Sequence, residues 1–311
     1  MRRISVSAMQ TYQRCREEYR LSYLLGFWPL QVDDKPLAFG SAIHAGLEAW
    51  WTTLDLEHAI RVAVAYKGPL DAYDRVMVRV LLCGYDAMWR DAAAEWTSVQ
   101  AELPFNLAGH GYGLTGKIDI DGVRGGRPVL AEHKTTSAED VAAGSTYWET
   151  LNFDWQVGLY LDAASRLGDY TDTVCYDVIR KPKIKPHRET PEAERKYCKT
   201  GPRKGLLHAN QYERDETPEE YGERVAAKIA AKPEAYYVRQ DVVRLSHEVE
   251  RLRDNVHQLA TEMVTMVPER PAPPTTKSCR RFGGQACPYL GVCGGTVRLD
   301  NPAVFGQRKR N

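Results

Sequence analysis

Residues 114–137 read LTGKIDIDGVRGGRPVLAEHKTTS. Two β-rich runs, 112–121 and 128–135, flank a Gly-rich turn over 121–127, and the pattern predicts a hairpin. Residues i and i+2 of a strand project to one face, which puts Glu132 and Lys134 together and turns His133 away. The hairpin brings Asp119 to the same region. Two carboxylates so close repel each other unless a cation lies between them, and hard oxygen ligands suit Mg²⁺ or Mn²⁺. A lysine beside such an ion can orient or deprotonate water and neutralise charge developing on phosphorus. The same residues also make an ordinary salt-bridged hairpin, Glu132 with Lys134 or Arg127, on a solvated face. The rest of the chain decides between the two.

On the N-terminal side the pattern is helical. Ser7 and Gln10 have the spacing of a capping box for a helix over 8–25, which Gly26 and Pro29 end. A second helix covers 37–51, and 55–66 and 70–96 continue the pattern, before a strand over 99–107 leads into the hairpin. On the other side follow a helix over 152–166 and a strand over 171–180, with Val174, Tyr176 and Val178 alternating. An excursion over 181–215 is broken by prolines and glycines. Thr217, Pro218 and Glu220 then open a helix, 236–245 reads as a strand, and Val249, Leu252, Val256, Leu259 and Met263 recur at helical spacing. The expectation is an α/β chain in three stretches. Residues 1–98 form a helical part, 99–267 a core with the basic excursion 181–215, and 268–311 a Pro-rich linker with a cysteine-rich tail packing back on the first helix. The Trp50–Trp51 and Trp148–Trp155 pairs are expected in the core.

Composition narrows the class. The 311 residues are 43% hydrophobic and 27% charged, a globular profile that excludes bulk disorder. No apolar run reaches the roughly 20 residues of a membrane span, and no apolar signal core follows the two N-terminal arginines, so a cytoplasmic location is expected. The net charge is +1, from 42 basic and 41 acidic residues. Residues 180–204 hold ten of the basic and three of the acidic ones, a local +7 against −6 elsewhere. Such a segment can grip phosphates while Tyr197 stacks on an unpaired base, or it can be a solvated loop.

Seven cysteines make a full disulfide set a poor expectation for a cytoplasmic chain. Cys279, Cys287 and Cys293 crowd the tail SCRRFGGQACPYLGVCGG, and Cys15 in the first helix is the natural fourth ligand. Four thiolates suit a [4Fe–4S] cluster or Zn²⁺; the close CxxC pairs usual in structural zinc sites are absent. Cys83 and Cys175 read as buried small hydrophobes and Cys198 as a loop thiol.

Five segments in order carry a resemblance: ISVSAMQTYQRCREEYRLSYLLGF, FGSAIHAGLEAW, GKID, AEHKTTS and DWQVGLY. The chain resembles the PD-(D/E)XK nuclease superfamily, and within it the RecB-like exonucleases that include the CRISPR-associated iron–sulfur nucleases. The resemblance implies a restriction-endonuclease-like core, a central mixed sheet flanked by helices. It implies metal-dependent hydrolysis of DNA, at single-stranded ends. His44, Asp119, Glu132 and the His133 carbonyl would hold Mg²⁺ or Mn²⁺, with Lys134 assisting the water. Gln156 and Tyr160, i and i+4 on one helix face, would position the lysine and the substrate strand. Cys15, Cys279, Cys287 and Cys293, with proline directly after Cys287, resemble the family's [4Fe–4S] signature, zinc being the alternative. Recombination or CRISPR-type partners fit the same family, as do an endonuclease, a CRISPR adaptation nuclease and a non-catalytic DNA-end-binding subunit. Glu102 stands open: an extra acidic ligand or hydrogen-bond anchor, or an exposed strand glutamate.

Overall fold

The computed structural model describes every residue except 1, 31–34, 110, 143, 152, 169, 281–284 and 309–311. Its strands are β1 (Arg2–Ser5), β2 (Phe27–Pro29), β3 (Trp96–Ala108), β4 (Tyr112–Arg124), β5 (Arg127–Thr136), β6 (Thr173–Arg180), β7 (Tyr237–Val243) and β8 (Phe305–Gln307). Its helices are α1 (Val6–Arg14), α2 (Arg16–Tyr19), α3 (Lys35–Thr53), α4 (Leu56–Val64), α5 (Ala72–Ala93), α6 (Thr146–Leu151), α7 (Trp155–Leu167), α8 (Pro218–Ala230), α9 (Ser246–Thr265) and α10 (Leu290–Cys293).

Six strands make one mixed sheet in the order β1-β4-β5-β6-β7, with β3 added on β4. The β1–β4 and β5–β6 pairs are parallel and the others antiparallel. Because β3 runs along β4 from Gly113 to Arg124, β1 and β5 share the other edge of β4. There β1 takes residues 112–115 and β5 takes 120–124. The stretch left between them ends at Asp119.

Strand alternation sends side chains into two cores. Leu130, Val174, Tyr176 and Val178 belong to the layer under α1, α7 and α9; Val129, Ala131, Cys175 and Ile179 belong to the layer under α3, α4, α5 and α8. Trp50, Trp51 and Trp148 are buried as expected, and Trp155 is partly buried against the first layer. Gly46 seats α3 on its neighbours: a β-carbon there would lie 2.7 Å from Leu82 and 2.9 Å from Ala63. The Thr217–Glu220 capping box and Pro218 at the head of α8 are as expected.

Four expectations need correction. Ser7 and Gln10 do not cap the first helix: the four residues of β1 precede it, and Ser5 accepts the bond from the Ala8 amide at 3.2 Å. Only Ile4 of β1 is fully buried, too short an apolar signal to read as a strand. The helix expected over 8–25 is broken at Cys15, whose backbone is extended (φ −158°, ψ 114°), into α1, α2 and a π-helical turn at Arg20–Leu24. Cys83 is exposed, because it faces a groove lined by Ile60, Val80, Met88 and Tyr237. The helix expected from 152 starts in its described part at Trp155, residue 152 lying outside the described residues.

The two ends of the chain meet. The β2–β8 pair joins Phe27–Pro29 to Phe305–Gln307, and Leu21, Tyr289 and Phe305 share a small apolar cluster. The Ser278 hydroxyl donates to the Arg14 carbonyl beside the helix break (2.8 Å), and the Ala272 amide donates to Glu17 (2.8 Å). No helix among the described residues is long and apolar enough to cross a membrane.

Candidate active site

The β4–β5 ladder stops at Ile120–Ala131, one residue short of the pair Asp119 and Glu132. There the strands part, and the Asp119 carboxylate fills the gap by accepting the His133 amide at 2.8 Å. On the opposite edge β3 is also irregular at this level. Glu102, which faces Asp119 across the β3–β4 ladder, has φ +53°, a left-handed backbone rare for a residue with a side chain. Val99 and Ala101 pack toward the α3/α5 core, whereas Leu103, Phe105 and Leu107 pack toward the α7/α9 core. Ile120 and Ile118 on β4 divide the same way. Residues two apart normally share a face, so the ribbon changes faces at the Glu102–Asp119 level.

His44, from the middle of α3, completes this side of the site. Its Nδ1 lies 3.6 Å from Asp119 Oδ2. His44, Glu102 and Asp119 each offer one donor atom, and the three atoms lie within 4.8 Å of one another. Ligands about 2.1 Å from one Mg²⁺ stand at most about 4.2 Å apart, so one imidazole and two carboxylates here fit a single hard cation with a small contraction. Burial pushes the His44 imidazole below its ordinary pKa, against the pull of Asp119, which favours the neutral ring a metal needs. The Lys117 ammonium meanwhile pairs with Glu102 at 3.1 Å.

Glu132 and Lys134 project together, as the i, i+2 spacing requires. Lys134 Nζ lies 2.6 Å from Glu132 Oε1 and donates to Gln156 Oε1 at 2.8 Å. Gln156 closes the ring: its Nε2 donates to Glu132 Oε1 and to the Tyr160 hydroxyl, both at 2.7 Å. Tyr160 is buried, edge-on to Phe105. Glu132 is 1% exposed, and its second oxygen, Oε2, is buried with no hydrogen-bond partner among the described residues. Burial and the nearby Asp119 charge raise its pKa to about 8, Lys134 opposing. Burial works against the Lys134 ammonium, but Glu132, with Asp154 and Asp119 behind it, outweighs that and holds its pKa above the ordinary lysine value. Lys134 is a cation here.

His133 faces the other way, into a closed polar pocket. Its Nδ1 is 3.5 Å from Asp177 Oδ2, and its ring lies against Trp51 and Tyr85. Asp177 also accepts from Tyr85 (2.5 Å) and Arg239 (2.8 Å). It is fully buried, yet Arg239 and His133 hold its carboxyl well below the usual range. This network braces the back of β5.

The four tail and helix cysteines are also near one another. Burial pushes the Cys293 thiol up to about 11, and Glu17, Cys287, Cys15 and Cys279 add to the rise. Among the described residues, no three cysteine sulfurs lie within the 4.8 Å that encloses the His44 group.

A family model of the PD-(D/E)XK nuclease superfamily matches residues 3–294. The chain belongs to that superfamily. No curated protein matches it. PD-(D/E)XK enzymes hydrolyse phosphodiester bonds with divalent ions such as Mg²⁺, and this chain's mixed sheet between helical layers is a restriction-endonuclease-like fold. The chain is accordingly a metal-dependent nuclease with a candidate His–Glu–Asp metal site.

Some of this PD-(D/E)XK site lay beyond sequence reasoning. Glu102 stood open in the sequence between an extra acidic ligand or hydrogen-bond anchor and an exposed strand glutamate; what marks it is a backbone angle and its place beside His44 and Asp119. Asp154 was missed, though it stands two residues before Gln156, accepts the Gln156 amide (2.9 Å) and the Tyr176 hydroxyl (3.2 Å), and lies 4.0 Å from Lys134. Its signal was its place at the start of a helix. Asp177 and Arg239 come from strands whose pairing no local pattern reveals.

Proposed function

We propose that the chain is a DNA exonuclease of the RecB-like branch, related to the CRISPR-associated iron–sulfur nucleases and acting at single-stranded ends. The observation that carries the reading is Lys134, held by Glu132 and Gln156 at the point where β4 and β5 part, beside His44, Glu102 and Asp119. His44, Asp119, Glu132 and the His133 carbonyl would hold Mg²⁺ or Mn²⁺, with Glu102 as a further ligand. Two facts favour that donor set. Glu132 Oε2 is buried with no hydrogen-bond partner among the described residues. A strand residue's N–H and C=O point to the same side, so the His133 carbonyl opens on the gap where its amide meets Asp119. The bound ion would lower the pKa of its water and neutralise phosphate oxygens. Lys134 would stabilise charge on the phosphoryl group in the transition state, Gln156 would fix the lysine, and Tyr160 would fix Gln156.

Cys15, Cys279, Cys287 and Cys293 would hold a [4Fe–4S] cluster. A cubane takes one thiolate on each of four irons, and the close CxxC pairs usual in structural zinc sites are absent from the sequence. The three stretches 1–98, 99–267 and 268–311 would then act as one cytoplasmic unit.

The test offers end-labelled single- and double-stranded DNA and a closed circle to the protein with Mg²⁺ or Mn²⁺. Degradation of linear strands from their ends is expected, lost in Glu132→Ala and Lys134→Ala without loss of fold. Cutting of the circle would make it an endonuclease, and unaltered activity in either variant would remove the site assignment.

A further inference from the structure

The basic excursion is two things stacked on each other. Its root leaves β6 beside the end of β5, where the Lys181 amide donates to the Thr136 carbonyl at 2.7 Å, two residues past Lys134. Here most of the cations are engaged, with Lys185 exposed among them. Lys181 reaches Asp74 (3.7 Å) and covers the Phe39 ring, Lys183 pairs with Glu139 (2.9 Å), Arg188 with Asp215 (2.8 Å) and Arg195 with Glu189 (2.7 Å). His187 stacks on Tyr212 at 3.9 Å, and Thr190 bonds to Tyr212 across the neck.

Beyond the neck stands a hairpin over 195–208. The His208 amide donates to Lys196, the Cys198 amide to Leu206 and the Gly205 amide to Cys198, all at 2.8–2.9 Å. Tyr197 pairs with Leu207 across the hairpin, and Gly201 and Gly205, both with positive φ, make its turn. Lys196, Lys199, Arg203 and Lys204 are exposed on it, with no ion-pair partner among the described residues. No acidic residue occurs between 195 and 212. Tyr197 is 49% exposed and Leu206 56%, side by side with those cations.

We infer that the hairpin over 195–208 is a finger that grips an unpaired DNA strand, with Lys196, Lys199, Arg203 and Lys204 on its phosphates and Tyr197 stacked on a base. The inference rests on the nuclease reading of the neighbouring site. Paired cations at the root hold the finger beside the end of β5 that carries Lys134; at the tip Arg203 donates to the Leu207 carbonyl within the hairpin (3.0 Å), and none of the four has an acidic partner among the described residues to give up before meeting phosphate. Phosphates of a duplex need only charge, whereas an exposed aromatic flanked by lysines meets an unstacked base.

The experiment measures binding of a fluorescent single strand and its duplex over a salt series in chelator, with Mg²⁺-dependent cleavage followed separately. In the variant with Lys196, Lys199, Arg203 and Lys204 all changed to Ala, the log–log salt slope for the single strand should fall by about 3, since each phosphate neutralised by one cation adds roughly 0.7. Tyr197→Ala should weaken single-strand binding about five- to 150-fold, the range of one base–aromatic stack, with the duplex and the salt slope unmoved. An unchanged slope in the first variant, or unchanged single-strand affinity in the second, overturns the finger. Wild-type protein that binds through the finger but cleaves nothing with Mg²⁺ overturns the nuclease reading instead.

Discussion

At the scale of single residues the site is a balance between burial and charge. Glu132 is enclosed, faces Asp119 and carries a pKa of about 8 against an ordinary 4.5. The folded chain therefore holds this proton more tightly than the unfolded chain does. Stability from the group is full below pH about 4.5 and is lost as pH rises through about 8. With metal chelated, the melting temperature of the wild type should fall between pH 5 and 9 more steeply than that of Glu132→Gln. Thermal melts across that range check it, and parallel pH profiles would contradict the shift. Glu132, Lys134 and Asp119 were legible in the sequence because a two-residue period and a hairpin turn fix their relation. Glu102 was legible only as an open candidate, since its left-handed backbone follows from a ribbon that turns over between two cores.

At the scale of elements, α7 carries the lysine's anchor. Asp154 caps its first turn, and the same carboxylate receives the Tyr176 hydroxyl, so the helix start is tied to β6. Asp154→Ala should cost about 0.5–2 kcal/mol, the usual loss at such a cap. It should also lower cleavage, since Gln156 loses the support of its amide. Asp154→Asn keeps a capping oxygen and should restore most of the stability; chemical unfolding of the two variants tells them apart. Most elements were legible: β4, β5, β6, α3, α5, α8 and α9 lie within a few residues of where periodicity and turn residues put them. What failed was short or locally contradicted. β1 has one buried apolar side chain, and the break at Cys15 interrupts a sequence whose spacing is helical throughout.

At the scale of the whole molecule, the tail holds the front of the chain. Glu17 bridges the Arg20 guanidinium and the Ala272 amide, the Arg20 guanidinium reaches the Pro268 carbonyl, and Tyr289 donates to the Phe27 carbonyl. A cluster bound to Cys15 and the three tail cysteines would close nearly the full length of chain into one loop. Cys15→Ser should turn a brown preparation colourless, lower the melting temperature and open the linker over 268–278 to protease. Metal analysis decides the alternative: stoichiometric zinc in colourless, anaerobically purified wild type would replace the cluster. The meeting of the two ends also sets an order in time. Gln307 bonds to Leu25 and Tyr289 to Phe27, partners 282 and 262 residues apart. During synthesis β2 emerges early, and its partner strand β8 is made only about 275 residues later. A chain cut short before Phe305 lacks β8 and leaves Phe27–Pro29 without its strand partner, so this corner of the fold closes only after residue 307 has been made.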